Sequence, residues 1–336
     1  MADIIIILVI VLALLFELSN GWNDSANAIA TVVSTRVLTP MQAILMASTM
    51  NVAGAIITIK IFESSVSKTI GKGIVDPTDI TLLVIAAALL AGFIWNGAMT
   101  LLGLPVSASH AIIGGIMGAS IAHLGGFDKF NVDGLTKIFT ALFTSPVIGL
   151  FIGYLFMKLI MRLFCNKSPG TVNKHFGRLQ IISAGFMAFS HGSNDSQKVM
   201  GIITMALLSG GYLTEWNVPL WVILTCALVM GLGIAAGGWR VIKTLGVQMH
   251  KIQPVHGFAA ETSAVAVILG ASFMGLPVST THVITTCIMG VGATKRLSAV
   301  RWGVARKIVL AWVFTLPACI GLAWLTYNGL LIVGLK

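Results

Sequence analysis

Charged side chains are scarce: Asp, Glu, Lys and Arg make up 10% of the 336 residues, against about 25% in a soluble domain. That scarcity excludes an ordinary water-exposed fold. Cysteine is nearly absent, and Cys165, Cys226, Cys287 and Cys319 stand far apart without a C-x-x-C pair. They read as small core residues, with no support for redox or metal chemistry. The first residues lack a basic n-region and a small-residue cleavage site, so Met1–Leu18 reads as a first membrane span and not as a cleaved leader. No nucleophile–base pair and no metal-ligand cluster occurs at a recognisable spacing, which leaves an enzyme without support.

Apolar residues are abundant, at 57% of the chain, with 36 glycines among them. A membrane span needs roughly 20 apolar residues, and Ile80–Leu104, Leu220–Trp239 and Ile308–Leu325 supply runs of that kind. The fold class expected is an all-α polytopic membrane protein in a lipid bilayer, its helices packed closely through glycine. The formal net charge of +10 does not imply nucleic acid in so apolar a chain. Basic residues cluster as Lys158, Arg162, Lys167, Lys174 and Arg178, and again as Lys295, Arg296, Arg301, Arg306 and Lys307. The positive-inside rule makes both loops cytoplasmic, and an extracytoplasmic N-terminus fits the lack of Lys or Arg before Arg36.

An internal repeat organises the chain. Asn20-Gly-Trp-Asn-Asp-Ser25 recurs as His191-Gly-Ser-Asn-Asp-Ser196, and the stretch Gly103–Gly118 recurs as Gly275–Gly290 with ten of sixteen residues identical. Two motifs in one order at nearly the same offset indicate duplication. The expected domains are a first repeat at 1–165, a cytoplasmic linker at 166–177 and a second repeat at 178–336. Each half reads as a broken first segment, two long helices, a hairpin and a closing helix. With the N-terminus outside and the middle loop inside, the first half crosses an odd number of times. The second half is then inverted, and the C-terminus is extracytoplasmic as well. One observation resists: Lys60, Lys68 and Lys72 flank one loop, and Arg240, Lys243 and Lys251 flank its counterpart. Inversion puts those loops on opposite faces, so charge cannot place both inside.

Four acidic residues lie within apolar stretches: Glu17, Asp24, Asp195 and Glu261. A charge at bilayer depth is expensive and usually faces a polar cavity. Asp24 and Asp195 are repeat equivalents, each preceded by Asn and followed by Ser. Helical spacing puts Asn20, Asp24 and Asn27 on one face, and His191, Asp195 and Lys198 on the matching face. Carboxylate, amide and hydroxyl oxygens suit a hard cation such as sodium, or a proton on Asp. The competing reading is hydrogen bonding between helices, and an ion pair of Lys198 with Asp195 is the alternative for that residue. Glu17 and Glu261 have no acidic equivalents.

Pro105-Val-Ser-Ala-Ser-His110 and Pro277-Val-Ser-Thr-Thr-His282 interrupt apolar runs. Proline ends one helix, and Ser107 and Ser279 are good N-caps for the next. A helix start binds anions through free N–H groups and the dipole. Ser107, Ser109, Ser279, Thr280 and Thr281 add hydroxyls, and two inverted starts can converge on one oxyanion. A simple proline kink is the alternative. His110 and His282 read as core histidines.

On Gly21-Trp-Asn-Asp-Ser-Ala-Asn27, Ser190–Lys198, Gly257-Phe-Ala-Ala-Glu-Thr-Ser-Ala264 and Gly275–His282, the chain resembles the inorganic phosphate transporter (PiT) family over nearly its whole length. The first copy departs at Trp22 and Ala108, which could make the halves contribute unequally. The resemblance implies symport of inorganic phosphate with sodium or protons, two inverted halves with two re-entrant helical hairpins, a homodimer, and no cofactor beyond the coupling ions. It makes Asn23, Asp24, Asn194 and Asp195 candidates for the cation. Ser107, Ser109, Ser279, Thr280 and Thr281, with Asn23 and Asn194, are candidates for phosphate, and Glu261, Lys198 and Glu17 for coupling or gating. Sodium is favoured because Asn and Ser oxygens beside each Asp are superfluous for a proton. Sulfate uptake and an anion channel are the alternatives.

Overall fold

Backbone polar groups in lipid must bond within their own segment, so apolar runs of this length form helices. A computed structural model describes residues 2–61, 65–249 and 251–334. Met1 and Lys336, the outer bounds of the expected halves, lie outside the described residues, as does the Lys60 side chain. The first six helices are α1 (Ala2–Ser34), α2 (Pro40–Ile61), α3 (Ser65–Lys72), α4 (Leu82–Leu102), α5 (Ala108–Leu124) and α6 (Val132–Leu163). Six more follow: α7 (Pro169–Ser209), α8 (Leu220–Ala236), α9 (Trp239–Lys243), α10 (Pro254–Phe273), α11 (Thr280–Ala293) and α12 (Trp302–Ile332). Shifted by the repeat offset, the second six fall on the first six in order, down to the helix-interior prolines Pro146 and Pro317.

Among the described residues, six helices are long and apolar enough to cross a membrane: α1, α2, α4, α6, α10 and α12. The pair formed by α8 and the stretch Trp239–Gln248 passes the same test together but is bent by 64°. Helix α7 spans 41 residues and interrupts its apolar character with the polar run around Asp195. Helices α5 and α11, at 17 and 14 residues, are short for a crossing.

The chain breaks as expected at the Pro-Val-Ser motifs. Gly103 and Gly275 sit at φ 73° and 64° and close α4 and α10 in the left-handed conformation that a Cβ disfavours. The hydroxyls of Ser107 and Ser279 accept the backbone N–H of His110 and His282 at 3.1 and 3.3 Å, which starts α5 and α11. The first segment of each half, expected to be broken, is continuous: α1 and α7 run unbroken through Asn20–Ser25 and His191–Ser196. Neither motif holds a proline, and Asn23, Asp24, Asn194 and Asp195 direct their side chains across the bundle. Ser168 caps α7 and Pro169 opens it, so residues 169–177, expected as linker, are helical. Of the four cysteines, Cys226, Cys287 and Cys319 are buried as expected, whereas Cys165 is exposed because it lies in the connection from α6 to α7.

Packing exchanges partners between the halves. Helix α5 lies against α12, and α11 lies against α6. A Cβ on Gly118 would come within 2.1 Å of the Ile320 carbonyl oxygen, and one on its equivalent Gly290 within 2.2 Å of that of Leu150. Both contacts require glycine, as close helix approach in membranes generally does. Helices α1 and α7 run antiparallel: Thr35 meets Gln180 at 2.9 Å, while Asp24, earlier in α1, meets His191, later in α7. One apolar core joins α4, α5 and α12 with the C-terminal part of α7, including Val199 and Ile203. The second joins α10, α11 and α6 with the C-terminal part of α1, including Ile29 and Val32. The polar middles of α1 and α7 lie between the two cores.

The ends of the molecule also sort. Cys165, Lys167 and Asn173 share a cleft with Gln253, Thr294 and Lys295, so the middle loop and the loop before α12 occupy one end. At another, Asn131 bonds to the Lys72 and Ile74 carbonyls and Ser209 to that of Ile80. Lys72 therefore lies far from the Lys251 region, and its ammonium stands over the Trp216 ring, 5.6 Å from the centroid. That aromatic contact gives Lys72 a role apart from loop orientation.

Candidate functional site

Two short helices start head to head in the polar layer. Ser109, in the first turn of α5, donates through its hydroxyl to the Val278 carbonyl oxygen at 3.1 Å, just ahead of α11. The equivalent rings of His110 and His282 lie 4.8 Å apart, and Trp312 stacks on His282 at 3.9 Å. First-turn N–H groups have no acceptor within their own helix, so the junction concentrates donors and the positive ends of two dipoles. The hydroxyls of Ser109, Thr280 and Thr281 line this junction. Those of Ser107 and Ser279 are already engaged as caps, and Ser107 also meets His110 Nδ1 at 2.7 Å.

Against this positive pole stand the two aspartates. Asp24 accepts from the Thr281 hydroxyl at 2.8 Å, and Asp195 accepts from the Thr280 hydroxyl at 2.8 Å. Each carboxylate thus reaches the opening turn of α11, one from each half of the chain. Between them lies His191, whose Nε2 is 3.3 Å from Asp24 and 3.2 Å from Asp195. The Asn51 amide lies 2.6 Å from His191 Nδ1 and fixes the ring with Nε2 turned to both carboxylates. Asp24, His191 and Asp195 present ligand atoms within 4.8 Å of one another, all buried. Lys198 does pair with Asp195, and it also donates to the Ser109 hydroxyl at 2.6 Å and the Val278 carbonyl at 2.7 Å.

The other expected residues divide. Asn23 donates to the Thr100 hydroxyl at 2.8 Å and the Leu104 carbonyl at 3.3 Å, and accepts the Val106 N–H at 3.3 Å. Asn194 makes the matching bonds to the Ser272 hydroxyl at 2.9 Å and the Leu276 carbonyl at 3.4 Å. These bonds tie the helix breaks to α1 and α7. Glu261 accepts from Thr31, Gln180 at 3.2 Å and Ser183, a cluster about two turns past Asp24 along α1 and about three to four turns before Asp195 along α7. Glu17 is buried beside Asn20 and Ser196 with no hydrogen bond of ordinary geometry to either carboxylate oxygen.

His191 is the residue whose weight sequence reasoning missed. Its i, i+4 spacing to Asp195 was visible, but its contact with Asp24 depends on the antiparallel approach of α7 to α1. Asn51 and Gln180 carry no sequence signal of their own, because neither belongs to a repeated motif.

Comparison with known proteins agrees with this geometry. The model of a family described as "Phosphate transporter family" matches residues 20–323. The chain is 45% identical to the "Probable low-affinity inorganic phosphate transporter" of Bacillus subtilis (strain 168), over 96% of each chain. It is 44% identical to the protein of that description from Rhizobium meliloti (strain 1021), over 95% of this chain and 94% of the other. A solved structure, "The sodium-dependent phosphate transporter", superposes with a TM-score of 0.88 at 26% identity, covering 98% of this chain and 99% of that one. A helical membrane chain with paired helix starts facing paired aspartates, matched over nine-tenths of its length, belongs to the phosphate transporter family.

Proposed function

We propose that this chain carries inorganic phosphate together with a cation, sodium in preference to a proton, by alternating access across the cell membrane. One observation carries the reading: the starts of α5 and α11 meet at Ser109 and Val278 directly beside Asp24 and Asp195. First-turn N–H groups and the hydroxyls of Ser109, Thr280 and Thr281 recognise the tetrahedral oxyanion. Ser107 and Ser279 shape the helix starts, and Asn23 and Asn194 brace them. The relatives named as phosphate transporters, and the solved neighbour named as sodium-dependent, support both the substrate and the ion.

Coupling follows from charge. Two like charges about 4 Å apart repel by about 4 kcal/mol at an effective dielectric of 20, so phosphate and the Asp24 carboxylate do not share a dry cavity unaided. Asp24, Thr281 and the Asn27 carbonyl oxygen, which is buried without a hydrogen-bond partner, form the hard-oxygen set that suits sodium. Cation and anion then raise each other's affinity by the same factor. Two inverted halves, 1–165 and 178–336 about a cytoplasmic connection, with extracytoplasmic termini and re-entrant α4–α5 and α10–α11 hairpins, rock about the site. The exposed apolar flanks of α6 and α12, such as Phe151 and Phe314, face lipid or a second copy in a homodimer.

Radiolabelled phosphate uptake into proteoliposomes, with sodium and pH gradients imposed separately, tests the proposal. Uphill accumulation driven by sodium is the expected result. Downhill flux alone would instead indicate a channel, and stronger competition by sulfate than by unlabelled phosphate would reassign the anion.

A further inference from the structure

The two halves carry different chemistry at one equivalent position, Asn27 in α1 and Lys198 in α7. Both side chains reach the same kind of partner. Asn27 donates to the Thr281 hydroxyl at 2.9 Å, and Lys198 to the Ser109 hydroxyl at 2.6 Å. Thr281 and Ser109 are themselves equivalents, each in the first turn of the other half's short helix. Around this common frame the halves diverge. In the second half the Lys198 ammonium also bonds the Asp195 carboxylate and the Val278 carbonyl. Its three N–H donors thus meet a carboxylate, a hydroxyl and a backbone carbonyl, the oxygen set that a bare monovalent cation would take. In the first half the corresponding space has the Asp24 carboxylate and the Thr281 hydroxyl. It adds an Asn27 carbonyl oxygen that is buried and lacks a partner. An orphaned buried acceptor is costly, and here it points to a ligand.

We infer that Lys198 is a tethered counter-ion. Its ammonium takes in the second half the position that a diffusible cation takes in the first, and the inference rests on the transport reading above. A lysine held by its own helix neutralises Asp195 in every state of the cycle. It is not exchanged between the two sides of the membrane, so it draws nothing from an ion gradient. Transport in this chain therefore uses one coupling cation fewer per phosphate than a chain with both positions open. The compact ammonium suits the role, because it mimics a point charge. The short Asn27 side chain leaves its half open.

The test is Lys198→Asn, which gives the second half the residue that the first half carries. The ratio of cation to phosphate is read from the reversal of flux against opposed gradients in proteoliposomes, with sodium and pH varied independently. The variant is expected to need one more cation per phosphate than the parent, and an unchanged ratio overturns the inference. If the variant folds but does not transport, sodium titration of its melting temperature in detergent decides. A steeper dependence on sodium concentration than in the parent supports the tethered ion, and an equal one refutes it, leaving Lys198 as a structural ion pair. Lys198→Gln serves for both measurements if the Asn variant does not fold. Failure of the parent protein to move phosphate under any gradient counts against the transport reading alone, because the melting titration contains no phosphate.

Discussion

The seams of the molecule and its centre have treated the duplication differently. At the seams the halves are still copies: Gly118 presses on the Ile320 carbonyl as Gly290 presses on that of Leu150. Asn23 and Asn194 likewise brace equivalent helix breaks with equivalent bonds. At the centre they have parted, with Asn20 against His191, Asn27 against Lys198 and Ala108 against Thr280. The Glu261 cluster has only Leu89 at its own equivalent position. Two seams make two identical packing demands, so each copy must meet its own. A single cavity on a pseudo-two-fold axis needs each kind of group once, and either half can supply it.

This contrast can be broken by substitution. The largest effects belong at the seams. Gly118→Val and Gly290→Val drive a Cβ into steric overlap with a backbone carbonyl oxygen, and each is expected to cost more than about 4 kcal/mol. Loss of a monodisperse peak on size exclusion in detergent would show it, and tolerance of one variant alone would end the equivalence of the seams. Next come the aspartates, which should differ from each other. Asp195→Asn strands the Lys198 charge in a buried site and should destabilise by about 3–5 kcal/mol, besides abolishing concentrative uptake. Asp24→Asn should also abolish uptake but lower stability by only about 1–2 kcal/mol, since no buried cation is left unpaired. Thermal melts alongside uptake assays separate the two, and equal melting would mean that the Lys198 pair contributes nothing.

Smaller and again symmetric effects are expected at the braces. Asn23→Ala and Asn194→Ala each remove buried hydrogen bonds and should each cost about 1–3 kcal/mol, with melting shifts alike in size. A tenfold difference in their uptake rates would instead make one of them a ligand. The smallest effect lies on the surface. Lys129 pairs with Asp79 at 3.2 Å with its side chain 59% exposed, and Lys129→Ala should change stability by less than about 1 kcal/mol and leave transport as it was.

Much of this was legible in the sequence because duplication prints its motifs twice. The offset between Asn20–Ser25 and His191–Ser196 located the polar layer, and Pro105 and Pro277 located the helix breaks. What failed was any inference that treated a polar motif as a break. Residues 20–27 and 191–198 stay helical because they hold no proline, and Asn23, Asp24, Asn27, His191, Asn194, Asp195 and Lys198 find partners in elements remote in sequence. For the same reason the contacts of Asn23 and Asn194 with the helix breaks were not legible in the sequence. Their partners Thr100, Leu104, Ser272 and Leu276 lie some 80 residues away and carry no mark of the contact. His191 was seen beside Asp195, but its contact with Asp24 needed the fold.

The exchange of partners at the seams also bears on how the chain is made. Helix α5 finds its main apolar neighbour in α12, which is synthesised long after it, whereas α11 finds α6 already in place. At synthesis rates of about 5–20 residues per second, α5 waits on the order of ten seconds or more with its glycine face uncovered. The nascent first half therefore spends that interval as an unfinished object, and a chain cut short before Trp302 would leave it so permanently.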